Sequence, residues 1–232
     1  MHKPRLVVLS GAGMSAESGI PTFRGSDGLW ENHRIEDVAS PEGWARNPLL
    51  VLEFYNQRRK KILESSPNQG HLILAELERL FDVQIITQNV DDLHERAGST
   101  NILHLHGEIV KVRSTAREDL VYTLDGWQLN WGDRCEMGSQ LRPHIVWFGE
   151  NVPLIEPAVE IVAMADYIVV VGTSMQVYPA ASLIHYAPKL AKKFIIDPNM
   201  PSTAGITNIV EIREGAGEGL KRLKELLITA AN

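Results

Sequence analysis

Two groups of residues in this 232-residue chain have types and spacings suited to chemistry. The first lies in 11-GAGMSAESGIPTFRG-25, where Gly11, Gly13 and Ala16 fit the G-x-G-x-x-G/A spacing of a dinucleotide-binding loop. Glycine lets the backbone turn sharply and come close to a diphosphate, and the first N–H groups of a following helix attract the anion. Taken alone, the same spacing also suits a tight strand-to-helix turn that binds nothing. An ordinary hydride-transfer enzyme would continue with a short helix, a second strand and an acidic residue gripping the ribose. This chain instead enters 19-GIPTFRGSDGLW-30, a loop with Pro21, Phe23, Arg24 and Trp30, which argues against simple hydride transfer. The second group is Tyr55 and Arg58, three residues apart in 48-PLLVLEFYNQRRKKI-62, so that on a helix both project from one face. A guanidinium forked onto a carboxylate, with a phenol donating to the same group, makes a receptor for an acidic tail. The bland alternative packs Tyr55 in the core and leaves Arg58 with Arg59, Lys60 and Lys61 on a solvated basic face.

The elements that must position these groups read as an α/β alternation. Short β-branched runs, 5-RLVVLS-10, 83-VQIIT-87, 167-YIVVVG-172, 193-KFIID-197 and 208-NIVEI-212, have the continuous apolar character of buried parallel strands. Helical spacing predicts helices over 48–64, 68–81, 155–165, 179–190 and 216–229. The expected fold is a Rossmann-like open parallel sheet with helices on both faces and a ligand site beyond the C-terminal strand ends. Residues 20–66 and 107–147 interrupt the alternation and read as two insertions forming a smaller lobe of a single domain spanning 1–232.

Composition narrows the function classes. A net charge of −6 without a long Lys/Arg block lacks the electrostatic footprint of a duplex nucleic-acid binder. Apolar runs are far shorter than the roughly 20 residues that cross a bilayer, and no apolar signal segment follows Met1. The one cysteine, Cys135, can form no internal disulfide and cannot by itself supply a thiolate-rich zinc site. These readings predict a cytoplasmic monomer with neither nucleic acid nor membrane as partner, in a reducing compartment.

Four further segments follow the glycine loop in order: 88-QNVD-91 directly after the strand ending at Thr87, then 104-HLHGE-108, 145-IVWFGE-150 and 172-GTSMQVYP-179. At these intervals, together with the loop, they make the chain resemble the sirtuin family over nearly its whole length. The resemblance implies a protein-lysine deacylase that consumes NAD and releases nicotinamide and O-acyl-ADP-ribose. NAD contacts carry over to Gly11, Ala12, Gly13, Ser15, Ala16, Ile20, Pro21, Thr22, Phe23, Arg24 and Trp30. Gln88, Asn89, Val90 and Asp91 match the nicotinamide and ribose pocket. Gly172, Thr173 and Ser174 match the adenosine side, and Asn199 and Ala216 the adenine end, where ordinary turn chemistry is the alternative. His106 matches the general base for a ribose hydroxyl, with Asn89 beside it in the catalytic centre; an unperturbed histidine pKa of about 6.5 suits that task. The acylated lysine would arrive on an extended peptide between 146-VWFGE-150 and 175-MQVYP-179, against Val146, Phe148, Gly149, Glu150, Val177 and Tyr178. Tyr55 and Arg58 resemble the Tyr-x-x-Arg signature of class III sirtuins, which remove succinyl and malonyl groups. Ala39 matches a small residue that leaves room for the longer chain, and Thr22 replaces an acid that many deacetylase-type members carry.

The chain departs from the family in the second insertion. Most sirtuins bind a structural zinc there through two Cys-x-x-Cys pairs, and this chain has only Cys135. His104, His106, Cys135 and His144 match no ordinary zinc spacing, and His104 is expected to face a strand partner. No zinc is therefore expected, and aromatic packing of Tyr122, Trp127 and Trp131 is predicted to hold the small lobe in its place. Two rival readings remain: an enzyme of the same fold acting mainly as a deacetylase or ADP-ribosyltransferase, and a catalytically silent NAD-binding sensor.

Overall fold

The computed structural model describes residues 3–22, 29–30 and 33–231. In chain order its strands are β1 (Arg5–Ser10), β2 (Leu29–Trp30), β3 (His33–Arg34), β4 (Asp82–Thr87), β5 (Ile102–His104), β6 (Gly107–Ser114), β7 (Val121–Thr123), β8 (Leu141–Ile145), β9 (Tyr167–Val171), β10 (Lys192–Ile196) and β11 (Ile209–Ile212). Its helices are α1 (Ile35–Val38), α2 (Pro41–Arg46), α3 (Pro48–Glu64), α4 (Gln69–Leu77), α5 (Leu93–Arg96), α6 (Ile155–Ala163) and α7 (Ala216–Ala231), with 3₁₀ stretches at Ala12–Ser18 and Ala180–Tyr186.

Six strands form one parallel sheet in the order β11-β10-β9-β1-β4-β5. Because successive side chains on a strand point to opposite faces, the apolar run of β1 feeds two cores at once. Leu6 and Val8 pack with Leu74, Leu77, Leu220 and Leu223 of α4 and α7. Val7 and Leu9 pack on the other face with Ala158 and Val162 of α6 and with Leu183 and Ile184. The five expected strands are all present; β5 is a sixth, and its three residues are too short to show a period.

Two predicted helices differ in length or type. The one expected to reach residue 81 ends at Leu77 and closes in a turn, with the Leu80 and Phe81 N–H groups both donating to the Leu77 carbonyl. The one expected over 179–190 is the 3₁₀ stretch, confined between Pro179 and Pro188; Ala187, forced toward extended backbone by the following proline, sits at φ −62°, ψ 141°.

Helices α1 to α3 pack against the antiparallel sheet β7-β6-β8 around Val51, Phe54, Tyr55, Ile109, Ile145 and Trp147. What ties the 119–143 segment to this core is mainly a polar staple, not the aromatic packing expected. The Asn56 side chain donates to the Leu129 carbonyl at 3.0 Å and accepts from the Leu129 N–H at 2.9 Å. Arg59, fully buried, donates to the Ile109 carbonyl at 2.6 Å, the Trp127 carbonyl at 2.8 Å and Asn56 Oδ1 at 3.0 Å. Beside it Leu52, Val112 and Leu129 form a small aliphatic core to which Tyr122 adds. Trp131 stands in a turn, 58% exposed, touching only the edge of this region through Trp44 at 6.5 Å. Trp127 lies under the Lys60 ammonium at 5.3 Å. The buried Cys135 thiol meets Ser114 Oγ at 3.3 Å, and among the described residues no group of three or more His, Cys, Asp or Glu side chains is placed to hold a metal ion. The donor set that a thiolate zinc site needs is therefore not met by this lobe.

Candidate active site

A cavity of about 1060 Å³ lies beyond the C-terminal ends of β1, β4, β9 and β10 and reaches under α3 into the small lobe. Its position is the crevice where the sheet order reverses direction around β1, the usual ligand site of such sheets.

The glycine loop forms one wall, and its glycines also let it pack closely against the 171–173 loop. The Gly13 N–H donates to the Gly172 carbonyl at 2.8 Å, and the Gly11 N–H to the Val171 carbonyl at 3.0 Å. A Cβ at Gly13 would stand 2.7 Å from the Gly172 Cα, so the small residues let two strand-end loops close on each other. The helix expected to follow the loop is the 3₁₀ stretch Ala12–Ser18, and the Met14 N–H donates back to Gly11 at 2.9 Å. Asn68, which caps α4, anchors this stretch by donating to the Met14 carbonyl at 2.8 Å and to Ser18 Oγ at 3.1 Å.

At the end of β4 the side chains are oriented by a chain of bonds whose directions are fixed by chemistry. Asn89 Nδ2 donates to Ser15 Oγ at 3.0 Å, and Ser15 donates to Asp91 Oδ2 at 2.9 Å. Asp91 Oδ1 accepts from the Leu93 N–H at 3.3 Å. Burial pushes the Asp91 carboxyl above its ordinary pKa, against these hydrogen bonds. Asp91 thus acts by holding Ser15, and through it Asn89, whose side chain lines the cavity.

His106 stands at the start of β6. Its Nδ1 is 3.1 Å from the Gln88 carbonyl, which can only accept, so the proton sits on Nδ1 and Nε2 carries the lone pair. Burial holds its pKa below the ordinary histidine value, partly opposed by that bond. Gly107 follows at φ +84°, where a Cβ would collide with the His144 carbonyl; β6 can turn past β8 only there. His104 faces its strand partner as expected: it is paired with Thr87 of β4, and its side chain donates from Nδ1 to the Asn89 carbonyl just past that strand at 3.1 Å and from Nε2 to Glu95 Oε1 at 2.7 Å. Two acceptors require two protons, so His104 is an imidazolium; burial alone would lower its pKa, but Glu95 holds it above the ordinary value. Successive carbonyls, Gln88 and Asn89, are therefore clamped by two histidines of opposite protonation.

The small-lobe end of the cavity is lined by Trp30, Ile35, Ala39, Tyr55, Arg58, Ile62, Ile145 and Trp147. Arg58 is only 7% exposed, with its guanidinium 4.3 Å from the Trp30 ring centre and 5.8 Å from that of Phe54. Arg59 points the opposite way into the staple, while Lys60 and Lys61 are solvated, so the basic run is not one solvated face. Tyr55 is 1% exposed; burial pushes its phenol pKa up, and its hydroxyl accepts from Trp147 Nε1 at 3.0 Å.

Every described residue expected at the site lines this one cavity, including Ile20, Pro21, Thr22, Val90, Thr173, Ser174, Asn199 and Ala216. Phe23 and Arg24 lie outside the described residues. Glu150 has a task not foreseen: its carboxylate takes Arg142 at 2.7 and 3.1 Å, Arg113 at 3.2 and 3.3 Å and the Trp147 N–H at 2.8 Å. It braces the 146–150 segment, whose Val146 and Phe148 N–H groups donate to His106 and Ala39. Phe148 and Tyr178, the latter 75% exposed, flank the cavity mouth. Trp147 and Glu17 were not foreseen; Glu17 accepts from the Gly217 N–H at 3.1 Å where α7 begins. The alternation of Ile145 and Trp147 inward with Val146 and Phe148 between them was the signal for the indole.

Comparison with known proteins agrees with this geometry. The model of the Sir2 family matches residues 11–179. An NAD-dependent protein deacylase of Bacteroides thetaiotaomicron is 54% identical over 230 residues, covering 97% of this chain and 98% of that protein. A solved Sir2 homolog–NAD complex superposes with a TM-score of 0.87 at 40% identity, covering 99% of this chain and 91% of that one. A Sir2 mutant with a deacetylated p53 peptide and 3'-O-acetyl ADP-ribose gives 0.80 at 30% identity, covering 97% and 94%.

Proposed function

The chain belongs to the Sir2 family and is an NAD-dependent protein deacylase, and we propose that its pocket selects acyl-lysines whose acyl group ends in a carboxylate, such as succinyl and malonyl. The observation that carries the selectivity is the placement of Arg58 and Tyr55 on the wall of the cavity's small-lobe end, among Ile35, Ala39, Ile62 and Ile145. In so apolar a setting a fixed guanidinium is a far stronger partner for a carboxylate than in water. Ala39, 2% exposed, leaves length for a succinyl chain that a larger side chain would fill.

NAD, when bound, supplies the anomeric carbon that the acyl oxygen attacks and the ADP-ribose that leaves with the acyl group. The chain's own residues orient and exclude. The paired loops at 11–13 and 171–173 frame the entry of the cofactor, and Asn89, fixed by Ser15 and Asp91, lines the cavity beside the reacting centre. His106, neutral and with its lone pair on Nε2, takes the proton of a ribose hydroxyl. Tyr55 and Arg58 hold the far end of the acyl chain, which sets the distance from the pocket floor to His106. The enzyme is read as a cytoplasmic monomer acting on proteins.

Steady-state rates on acetyl-, malonyl-, succinyl- and glutaryl-lysine peptides of one sequence, with wild type and Arg58→Met, test the selectivity. Loss of a buried charge-assisted pair predicts a fall in kcat/KM on succinyl peptide of about 100-fold, carried mainly by KM, with acetyl turnover moving far less. Equal falls on both substrates would refute it, leaving the deacetylase reading of the same fold.

A further inference from the structure

Tyr55 can serve a carboxylate only if its hydroxyl proton points into the pocket, and something must decide that direction. A phenol has one proton and two lone pairs, and can turn either toward a ligand. Here the choice is made by Trp147. An indole nitrogen can only donate, and Trp147 Nε1 stands 3.0 Å from the Tyr55 oxygen. The Tyr55 oxygen is therefore the acceptor on that side, and its own proton is left for another partner. At 1% exposure that partner cannot be bulk water. Among the described residues lining this end, Trp30, Ile35, Arg58, Ile62 and Ile145 carry no side-chain acceptor, and the Glu150 carboxylate, whose charge reaches Tyr55, is held by Arg142, Arg113 and the Trp147 N–H.

We propose that Trp147 is a specificity-positioning residue: by donating to the Tyr55 hydroxyl it fixes that hydroxyl as a donor into the pocket, so that Tyr55 and Arg58 together fit an acceptor-only acyl end. The inference rests on the acidic-acyl reading above and deepens it. The indole is itself held against turning. Its ring lies under the Arg142 guanidinium at 3.3 Å and 5.8 Å from Trp44, and Arg142 is gripped by Glu150, which also takes the Trp147 backbone N–H. A line of contacts thus runs from Glu150 through Arg142 and Trp147 to Tyr55. Burial also keeps the phenol protonated, so the donor is present at all ordinary pH.

The test compares kcat/KM on matched succinyl- and acetyl-lysine peptides for wild type, Trp147→Phe, Tyr55→Phe and the double variant. The succinyl-to-acetyl ratio is expected to fall about tenfold in Trp147→Phe, the size of one hydrogen bond to a charged group, through KM and not kcat. Tyr55→Phe should lower it at least as far, and adding Trp147→Phe to Tyr55→Phe should lower it no further. Where Trp147→Phe loses fold, benzothienylalanine at that position keeps the ring shape and removes only the donor, and the same tenfold fall is expected. An unchanged ratio in a folded Trp147 variant, or full additivity in the double variant, overturns the proposal. A wild type with no succinyl preference overturns instead the acidic-acyl reading on which it rests.

Discussion

The base role proposed for His106 rests on two neighbouring facts, a carbonyl that fixes its tautomer and a burial that favours its neutral form. The base works only unprotonated, and its pKa lies below the ordinary value of about 6.5. Lowering the pH must therefore reach further than for a free histidine before activity is lost. The acid limb of kcat/KM on an acyl peptide is expected below pH of about 6.5, and His106→Tyr is expected to lower turnover by at least about 100-fold. An acid limb centred above 7, or a His106 variant with near-normal turnover, would show that another group takes the proton. Of these residue-scale features, the motif positions were legible because their types are tied to one chemistry. Hydrogen-bond direction was not: that Asp91 acts through Ser15, that Glu150 braces Trp147, and that His104 is charged while His106 is neutral all depend on partners brought in from other segments.

At the scale of elements, the parallel strands could be read because burial on both faces leaves unbroken β-branched runs. The strand that failed to show, β5, is only three residues long, and the helix expected over 179–190 formed as a 3₁₀ stretch ending before Pro188. Helix α3 was readable in its bounds but not in the division of its faces. Its basic run Arg58-Arg59-Lys60-Lys61 splits three ways: Arg58 to the cavity, Arg59 to the small-lobe core and the lysines to solvent. Arg59 remains charged at neutral pH even though burial lowers its pKa to about 10. Its three hydrogen bonds, with those of Asn56, tie α3 to β6 and to the 127–129 segment. Arg59→Met would strand two buried carbonyls, and urea unfolding is expected to show a loss of about 3 kcal/mol. Lys60→Met on the exposed face should cost less than about 0.5 kcal/mol. Equal stability of wild type and Arg59→Met would mean that the aliphatic contacts of Leu52, Val112 and Leu129 suffice.

Across the whole molecule, the cavity is lined by both lobes, and in the proposed reading the large lobe supplies its cofactor side and the small lobe its acyl end, so that specificity and chemistry sit on different cores. The division explains how one reaction can be kept while the accepted acyl group changes: Trp30, Tyr55, Arg58 and Trp147 belong to the small-lobe core, and Asn89 and His106 to the sheet-end loops. The most direct test of the account places equal amounts of succinyl- and acetyl-lysine peptides of one sequence with wild-type enzyme and NAD, and follows both by mass spectrometry alongside nicotinamide. The succinyl peptide is expected to be consumed first, with one nicotinamide and one O-succinyl-ADP-ribose formed for each lysine freed. Consumption of the acetyl peptide first, or release of free succinate without nicotinamide, would contradict it.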